Sequence, residues 1–126
     1  MSIIGIGIDI VEINRIKKVY NCFKNKFAER ILSKLEFKKY LFLKNKIKFL
    51  TKIFSLKEAC SKALGTGIRK KISFKNIEIY NNKLGKPKIR FLKNVLIFSK
   101  NMKVRKKYVS ISYEKKYFCA LVILEN

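Results

Sequence analysis

The sequence predicts an α+β fold in which an antiparallel sheet is packed by one long buried helix and several shorter ones. Three observations predict it: a glycine-bearing, β-branched run at the start, a long hydrophobic helical stretch in the middle, and paired strand-like segments that close the chain. At 126 residues, 48% hydrophobic and 31% charged, the chain is expected to form one domain over residues 1–126 with a core of its own.

Ile3 to Ile8 is a short apolar run with two glycines, which suits a buried strand that another backbone or a ligand approaches closely. Asp9 is expected at its end. From Ile10 onward, Ile13, Ile16, Val19, Tyr20 and Phe23 recur at helical spacing, and Arg15, Lys17 and Lys18 fall largely off that stripe. Phe27–Ile31 and Leu35–Leu43 read as two shorter helices, the second capped by Ser33 with Glu36 three residues on. The strongest helix spans Ile47–Leu64, apolar over much of its circumference, with Gly65 at its stop. After Gly67 the pattern changes to strands. Ser73–Tyr80 and Lys88–Leu92 form a hairpin about an Asn81-Asn82 and Gly85-Lys86-Pro87 turn, and a short helix runs from Leu92 to Asn101. Tyr108–Glu114 and Tyr117–Leu124 make the closing pair, the last strand apolar on both faces, which hints at packing against another subunit.

Lys plus Arg number 31 and Asp plus Glu number 8, for a formal charge of +23, so an acidic partner is expected. The absence of histidine excludes imidazole acid–base catalysis and His-containing metal sites within one chain. Cys22, Cys60 and Cys119 are far apart and contain no Cys-x-x-Cys pair, which suggests neither a disulfide framework nor a zinc site and fits a reducing compartment. The N-terminus carries no basic leader, and no apolar run reaches the roughly 20 residues of a membrane span. A cytoplasmic protein without membrane contact is expected.

With so few acids, two stand out. Asp9 ends the glycine-bearing strand, and Glu58 lies inside the most hydrophobic helix, four residues before Lys62. The plain reading is an intrahelical Glu58–Lys62 ion pair worth about 0.3–0.5 kcal/mol. The alternative is that two carboxylates from separate elements hold Mg²⁺, for which a pair suffices, while Lys62 and the amides of Gly65-Thr66-Gly67 receive phosphate. Neither a Rossmann fingerprint nor a P-loop is present.

Gly5-Ile6-Gly7-Ile8-Asp9-Ile10-Val11-Glu12-Ile13, Phe27-Ala28-Glu29-Arg30-Ile31-Leu32, Phe54-Ser55-Leu56-Lys57-Glu58-Ala59, Ser61-Lys62-Ala63-Leu64-Gly65-Thr66-Gly67-Ile68 and Leu84-Gly85-Lys86-Pro87 together resemble the holo-acyl-carrier-protein synthases, the small bacterial 4′-phosphopantetheinyl transferases. The match runs nearly end to end. The resemblance implies the phosphopantetheinyl transferase fold and transfer of 4′-phosphopantetheine from coenzyme A to a serine of apo acyl carrier protein in fatty acid biosynthesis, leaving adenosine 3′,5′-bisphosphate. It implies Asp9 and Glu58 as Mg²⁺ ligands and, with Lys62, as the catalytic set. Lys57, Lys62, Gly65, Thr66, Gly67, Tyr108 and Ser110 are implied to contact coenzyme A. Either Glu58 or a metal-bound water relayed by a carboxylate is left to take the serine proton. The acidic carrier is implied to dock on Arg15, with Lys17, Lys18 and Arg30 extending the patch. A homotrimer with active sites between subunits is implied as well.

Two departures weaken the neighbourhood of coenzyme A. Tyr108 stands where the family usually has histidine, and Ile53 where it commonly has arginine. They motivate a degenerate, non-catalytic relative as one alternative. The charge and 13% aromatics motivate a nucleic-acid-binding protein as another, against which the spread of the lysines and the lack of any binding signature speak. No specific nucleic-acid partner is expected.

Overall fold

The computed structural model describes all 126 residues, and the chain runs as strand β1 (Ile3–Glu12), helices α1 (Ile13–Phe23), α2 (Asn25–Ile31), α3 (Lys34–Leu41) and α4 (Lys46–Ala63), a one-turn 3-10 helix (Phe74–Asn76), strands β2 (Ile77–Asn81) and β3 (Pro87–Phe91), helix α5 (Lys93–Asn101), and strands β4 (Lys106–Tyr113) and β5 (Tyr117–Glu125). The strands form two antiparallel sheets, one in the order β1-β5-β4 and one the β2-β3 hairpin. This is the predicted α+β arrangement.

Alternation explains how the larger sheet faces the core. Antiparallel partners lie on one face, so Gly7, Val122 and Val109 share the inner side with Asp9, Ala120 and Ile111. Ile6, Ile123 and Tyr108 share the outer side with Ile8, Leu121 and Ser110. The inner residues Val11, Ala120, Val122 and Leu124 are buried against α4, whose Leu50, Leu56, Ala59 and Cys60 are themselves fully covered. Each such aliphatic side chain contributes about 1.5–3 kcal/mol by leaving water.

Gly5 and Gly7 set how closely β1 approaches α4. A Cβ on Gly5 would collide with the Ala63 carbonyl oxygen and one on Gly7 with that of Ala59. The helix backbone occupies the space that side chains would fill, and this brings the C-terminal half of α4 against the strand that carries Asp9.

Two expectations need correction. β1 does not stop at Ile8 but continues to Glu12, so Asp9 lies within the strand and α1 begins at Ile13. Ser73–Tyr80 is not one strand, because Phe74–Asn76 turns before β2 begins at Ile77. β5 is buried on one face only within the chain; its outer residues Cys119, Leu121 and Ile123 are half-covered, and Ile6, Ile8 and Ile10 beside them are about 60% exposed. No helix is long and apolar enough to cross a membrane.

Candidate active site

The site lies where β1, α1 and the second half of α4 meet. Asp9 projects from the inner face of β1 toward α4, and Lys62 reaches across from α4 with its Nζ 3.0 Å from Asp9 Oδ1. The same ammonium donates to the Ile8 carbonyl at 3.1 Å. The expected Glu58–Lys62 ion pair is therefore not formed; Lys62 spends its charge on Asp9, and Glu58 makes no ion pair. Asp9 Oδ2 is buried and has no hydrogen-bond partner. A buried carboxylate oxygen left bare costs about 1–3 kcal/mol or more, and Asp9 is the only residue in the molecule that carries such an atom.

Glu58 lies on α4 within electrostatic reach of Asp9. Burial first, and the neighbouring Asp9 charge second, push its carboxyl above the ordinary range, while Lys62 and Arg15 pull it back. Two carboxylates close enough to repel, one with an unused buried oxygen, form the donor set of a hard divalent cation that keeps open positions for phosphate and water. The residues present thus fit Mg²⁺. Three carboxylates do not converge anywhere in the fold, so a closed all-protein cage is not on offer.

Glu58 also borders a cleft of about 460 Å³ between α1, α2 and α4, floored by Phe27, Phe54 and Phe74 and rimmed by Arg15, Lys26 and Arg30. Arg15 lies 5.7 Å from the centre of the Phe54 ring, over its face. Arg15 and Arg30 thus share the cleft with Glu58, whereas Lys17 and Lys18 are exposed outside it. Lys26 and the three phenylalanines were not singled out from the sequence. Lys26 and Phe27 are brought in by the break at Lys24, whose φ of 50° separates α2 from α1, whereas Phe54 comes from α4 and Phe74 from the 3-10 turn.

Other predicted contacts are rearranged. Lys57 does not reach the site: it is fully buried, and its Nζ donates to the Ile31 carbonyl at 2.7 Å, Glu36 Oε1 at 2.6 Å and the Phe74 carbonyl at 2.8 Å. All three of its donors are used, so none is left for a phosphate. The amides of Gly65, Thr66 and Gly67 are also engaged, donating to the Lys62 and Ser61 carbonyls that end α4. The expected amide cradle is not free. The turn instead offers room, since nothing lies within 4 Å of a Cβ built on Gly65 or Gly67, whose φ values of 82° and 67° require glycine. Tyr108 and Ser110 project from the outer face of the sheet, opposite to Asp9, so a single chain does not bring them to the site. Ile53 is buried in the core and points no charge anywhere.

The comparisons with known proteins agree with this geometry. A family model described as the 4′-phosphopantetheinyl transferase superfamily matches residues 5–122. A holo-[acyl-carrier-protein] synthase of Buchnera aphidicola subsp. Schizaphis graminum is 63% identical over 126 residues, all of both chains. The crystal structure of the holo-[acyl-carrier-protein] synthase of Neisseria meningitidis superposes with a TM-score of 0.95 at 35% identity, covering 99% of this chain and 100% of that one. That of the Helicobacter pylori synthase, in complex with coenzyme A, gives 0.83 at 38% identity over 95% of this chain and 99% of its own. From strand register to buried carboxylate, this chain belongs to the 4′-phosphopantetheinyl transferase superfamily.

Proposed function

We propose that the protein transfers 4′-phosphopantetheine from coenzyme A to a serine hydroxyl of apo acyl carrier protein, releasing adenosine 3′,5′-bisphosphate. The observation that carries this reading is the bare, buried Oδ2 of Asp9, a carboxylate paired with Lys62 and near enough to Glu58 to push that carboxyl up. Relatives over the full length are named holo-acyl-carrier-protein synthases, and a solved one binds coenzyme A.

Asp9 and Glu58 would hold Mg²⁺, which when bound neutralises pyrophosphate charge and orients the phosphorus that carries pantetheine. The Glu58 carboxylate, directly or through a relayed water, accepts the serine proton. The serine oxygen then bonds to that phosphorus as the bond to the departing bisphosphate breaks. Lys62, half exposed at the mouth of the site, meets the charge that develops on the leaving phosphate. The open Gly65-Thr66-Gly67 turn lets the pyrophosphate pass close to the backbone, the Thr66 hydroxyl itself donating to the Gly67 carbonyl. The acidic carrier docks along α1, with Arg15 and Arg30 at the cleft and Lys17 and Lys18 steering its approach.

The exposed isoleucines of β1 and the half-covered face of β5 make one apolar surface bounded by Tyr108 and Ser110. Apolar surface of this extent on a soluble chain marks an interface. Packing of a second and third copy there gives a homotrimer in which a neighbour's outer sheet face brings Tyr108 and Ser110 toward the bound nucleotide. Tyrosine supplies a hydrogen bond and a ring to stack against, in place of a charge.

The test follows the leaving group. Adenosine 3′,5′-bisphosphate should appear from coenzyme A only with an apo carrier whose acceptor serine is intact. Its absence with that carrier, or its appearance with a Ser→Ala carrier, contradicts the proposal.

A further inference from the structure

Lys57 is the one lysine that the fold buries completely. Taking an ammonium out of water costs several kcal/mol unless it is paired and fully hydrogen-bonded, and an apolar residue of similar volume commonly packs as well or better. Burial pushes the Lys57 ammonium down, and the Glu36 carboxylate is the first of the neighbours that pull it back. Stability alone is a weak reason to keep such a group.

Its acceptors show what it joins. The Ile31 carbonyl ends α2, the Phe74 carbonyl opens the 3-10 turn, and Glu36 sits in the first turn of α3. Ile31 and Phe74 belong to the wall of the cleft that Glu58 borders. The counter-ion is itself fixed, since Glu36 Oε1 also accepts the Ser33 amide at 2.8 Å and Oε2 accepts the Ile79 amide. Behind it, Glu78 accepts from the Ser33 hydroxyl at 2.7 Å and from Arg90 at 2.8 Å. One ammonium therefore locks α4, at the residue next to Glu58, to the two backbone segments across the cleft.

We infer that Lys57 is a positioning residue: its ammonium sets the rotation and depth of α4 against α2 and the 3-10 turn, and thereby holds the Glu58 carboxylate opposite Asp9. This rests on the proposed transfer reaction. It contributes nothing to the binding of coenzyme A directly.

The test compares three variants by thermal denaturation, by kcat and KM for coenzyme A, and by Mn²⁺ affinity from electron paramagnetic resonance with coenzyme A present. Lys57→Arg keeps the charge, but a planar guanidinium cannot address three acceptors converging on one point. The double variant Lys57→Met/Glu36→Gln removes both charges and leaves none buried alone. Glu78→Gln weakens the same network on the side away from α4. Outer-shell residues of this kind act through about a 10–100-fold effect on metal affinity or turnover. Both Lys57 variants are expected to lose kcat and Mn²⁺ affinity within that range, with KM for coenzyme A changed less than about threefold. Glu78→Gln should lower Tm with kcat and Mn²⁺ affinity retained. Wild-type kcat and Mn²⁺ affinity in a folded Lys57 variant overturn the inference. So does loss in all three variants that simply tracks Tm, or a Lys57→Arg chain that fails to fold, since the residue then serves folding alone. A wild-type protein that binds Mn²⁺ yet transfers nothing sinks the functional reading, and the Mn²⁺ comparison still decides the role of Lys57. Wild type that binds no Mn²⁺ sinks both.

Discussion

Replacing Gly7 by alanine should force β1 away from α4 and carry Asp9 with it. The new methyl would run into the Ala59 carbonyl oxygen and stand 2.6 Å from the Ala63 amide nitrogen, where ordinary contact begins at 3.4 Å. Strand and helix must therefore part by about 0.8 Å on the second contact alone, and by more on the first. Both obstacles are backbone of a buried helix, so no side chain can swing aside. Overpacking costs about 1–3 kcal/mol where neighbours can relax, and the upper end of that range applies here. At a urea slope of about 2 kcal/mol/M, a loss of about 3 kcal/mol lowers the denaturation midpoint by about 1.5 M. Asp9 lies two residues on, on the same face, and a displacement near 1 Å is enough to cost about a hundredfold in turnover. The assay pairs urea unfolding with transfer kinetics under conditions where the variant stays folded. Gly85→Ala is the control: it lies outside the site, meets open space and suffers only its φ of 84°, a cost of about 1–2 kcal/mol. Gly7→Ala with a wild-type midpoint and wild-type turnover would refute the argument that this glycine sets the distance between the two carboxylates.

Four other outcomes are expected. Glu58→Gln should abolish transfer by about a thousandfold or more while Tm holds or rises slightly, because a neutral amide escapes the burial cost borne by the carboxylate; Tm and single-turnover rates check this. Arg15→Glu should raise KM for the carrier and flatten its salt dependence with KM for coenzyme A unchanged, measured in titrations at two ionic strengths. Ile8→Lys, on the exposed outer face of β1, should yield a monomer with little transfer, read by sedimentation and turnover together. Lys52→Met should stabilise the fold at neutral pH. Burial, and then Lys39, lower the Lys52 ammonium from its ordinary value, so the folded chain binds the proton less tightly than the unfolded one. Stability then rises as pH climbs through the folded value toward the unfolded one, and the variant should lose that rise. Lys52 is only partly covered, so the gain at pH 7 is about 0.5–1 kcal/mol, or about 2–4 °C in Tm.

Much of this was legible in the sequence because local pattern and tertiary need coincide. The Ser33–Glu36 capping box forms as expected, with both of its hydrogen bonds. Glycines five and seven announced a close backbone approach, although not which helix made it. Ile10 misled because it satisfies two periods at once: it lies three residues before Ile13 in the helical stripe and alternates with Val11 in the strand. Pairing with β5 decided in favour of the strand, a long-range contact no local window contains. Lys57 misled differently. It neighbours Glu58 in sequence, but adjacent helix positions point about 100° apart, and Lys57 falls in line with Ile53, Cys60 and Leu64 on the buried side. The helical wheel held that information, and only the presence of Glu36 in a distant helix made a charge there tolerable. The Gly65-Thr66-Gly67 turn suggests phosphate-binding amides by its glycines and by resemblance, whereas the end of a helix needs those amides first. Tyr108 and Ser110 are split from Asp9 by strand alternation, which is why the proposal routes them through a second copy of the chain.

On the proposed reading, Asp9 and Glu58 form a metal-dependent site for moving phosphopantetheine onto a carrier serine. The measurement that tests it most directly is the intact mass of apo acyl carrier protein after incubation with this protein, coenzyme A and Mg²⁺, with parallel EDTA and Asp9→Asn arms. The account predicts a gain of one phosphopantetheine group in the complete reaction and none in either parallel arm. An unmodified carrier in the complete reaction, or full modification with EDTA present or with Asp9 replaced, would contradict it.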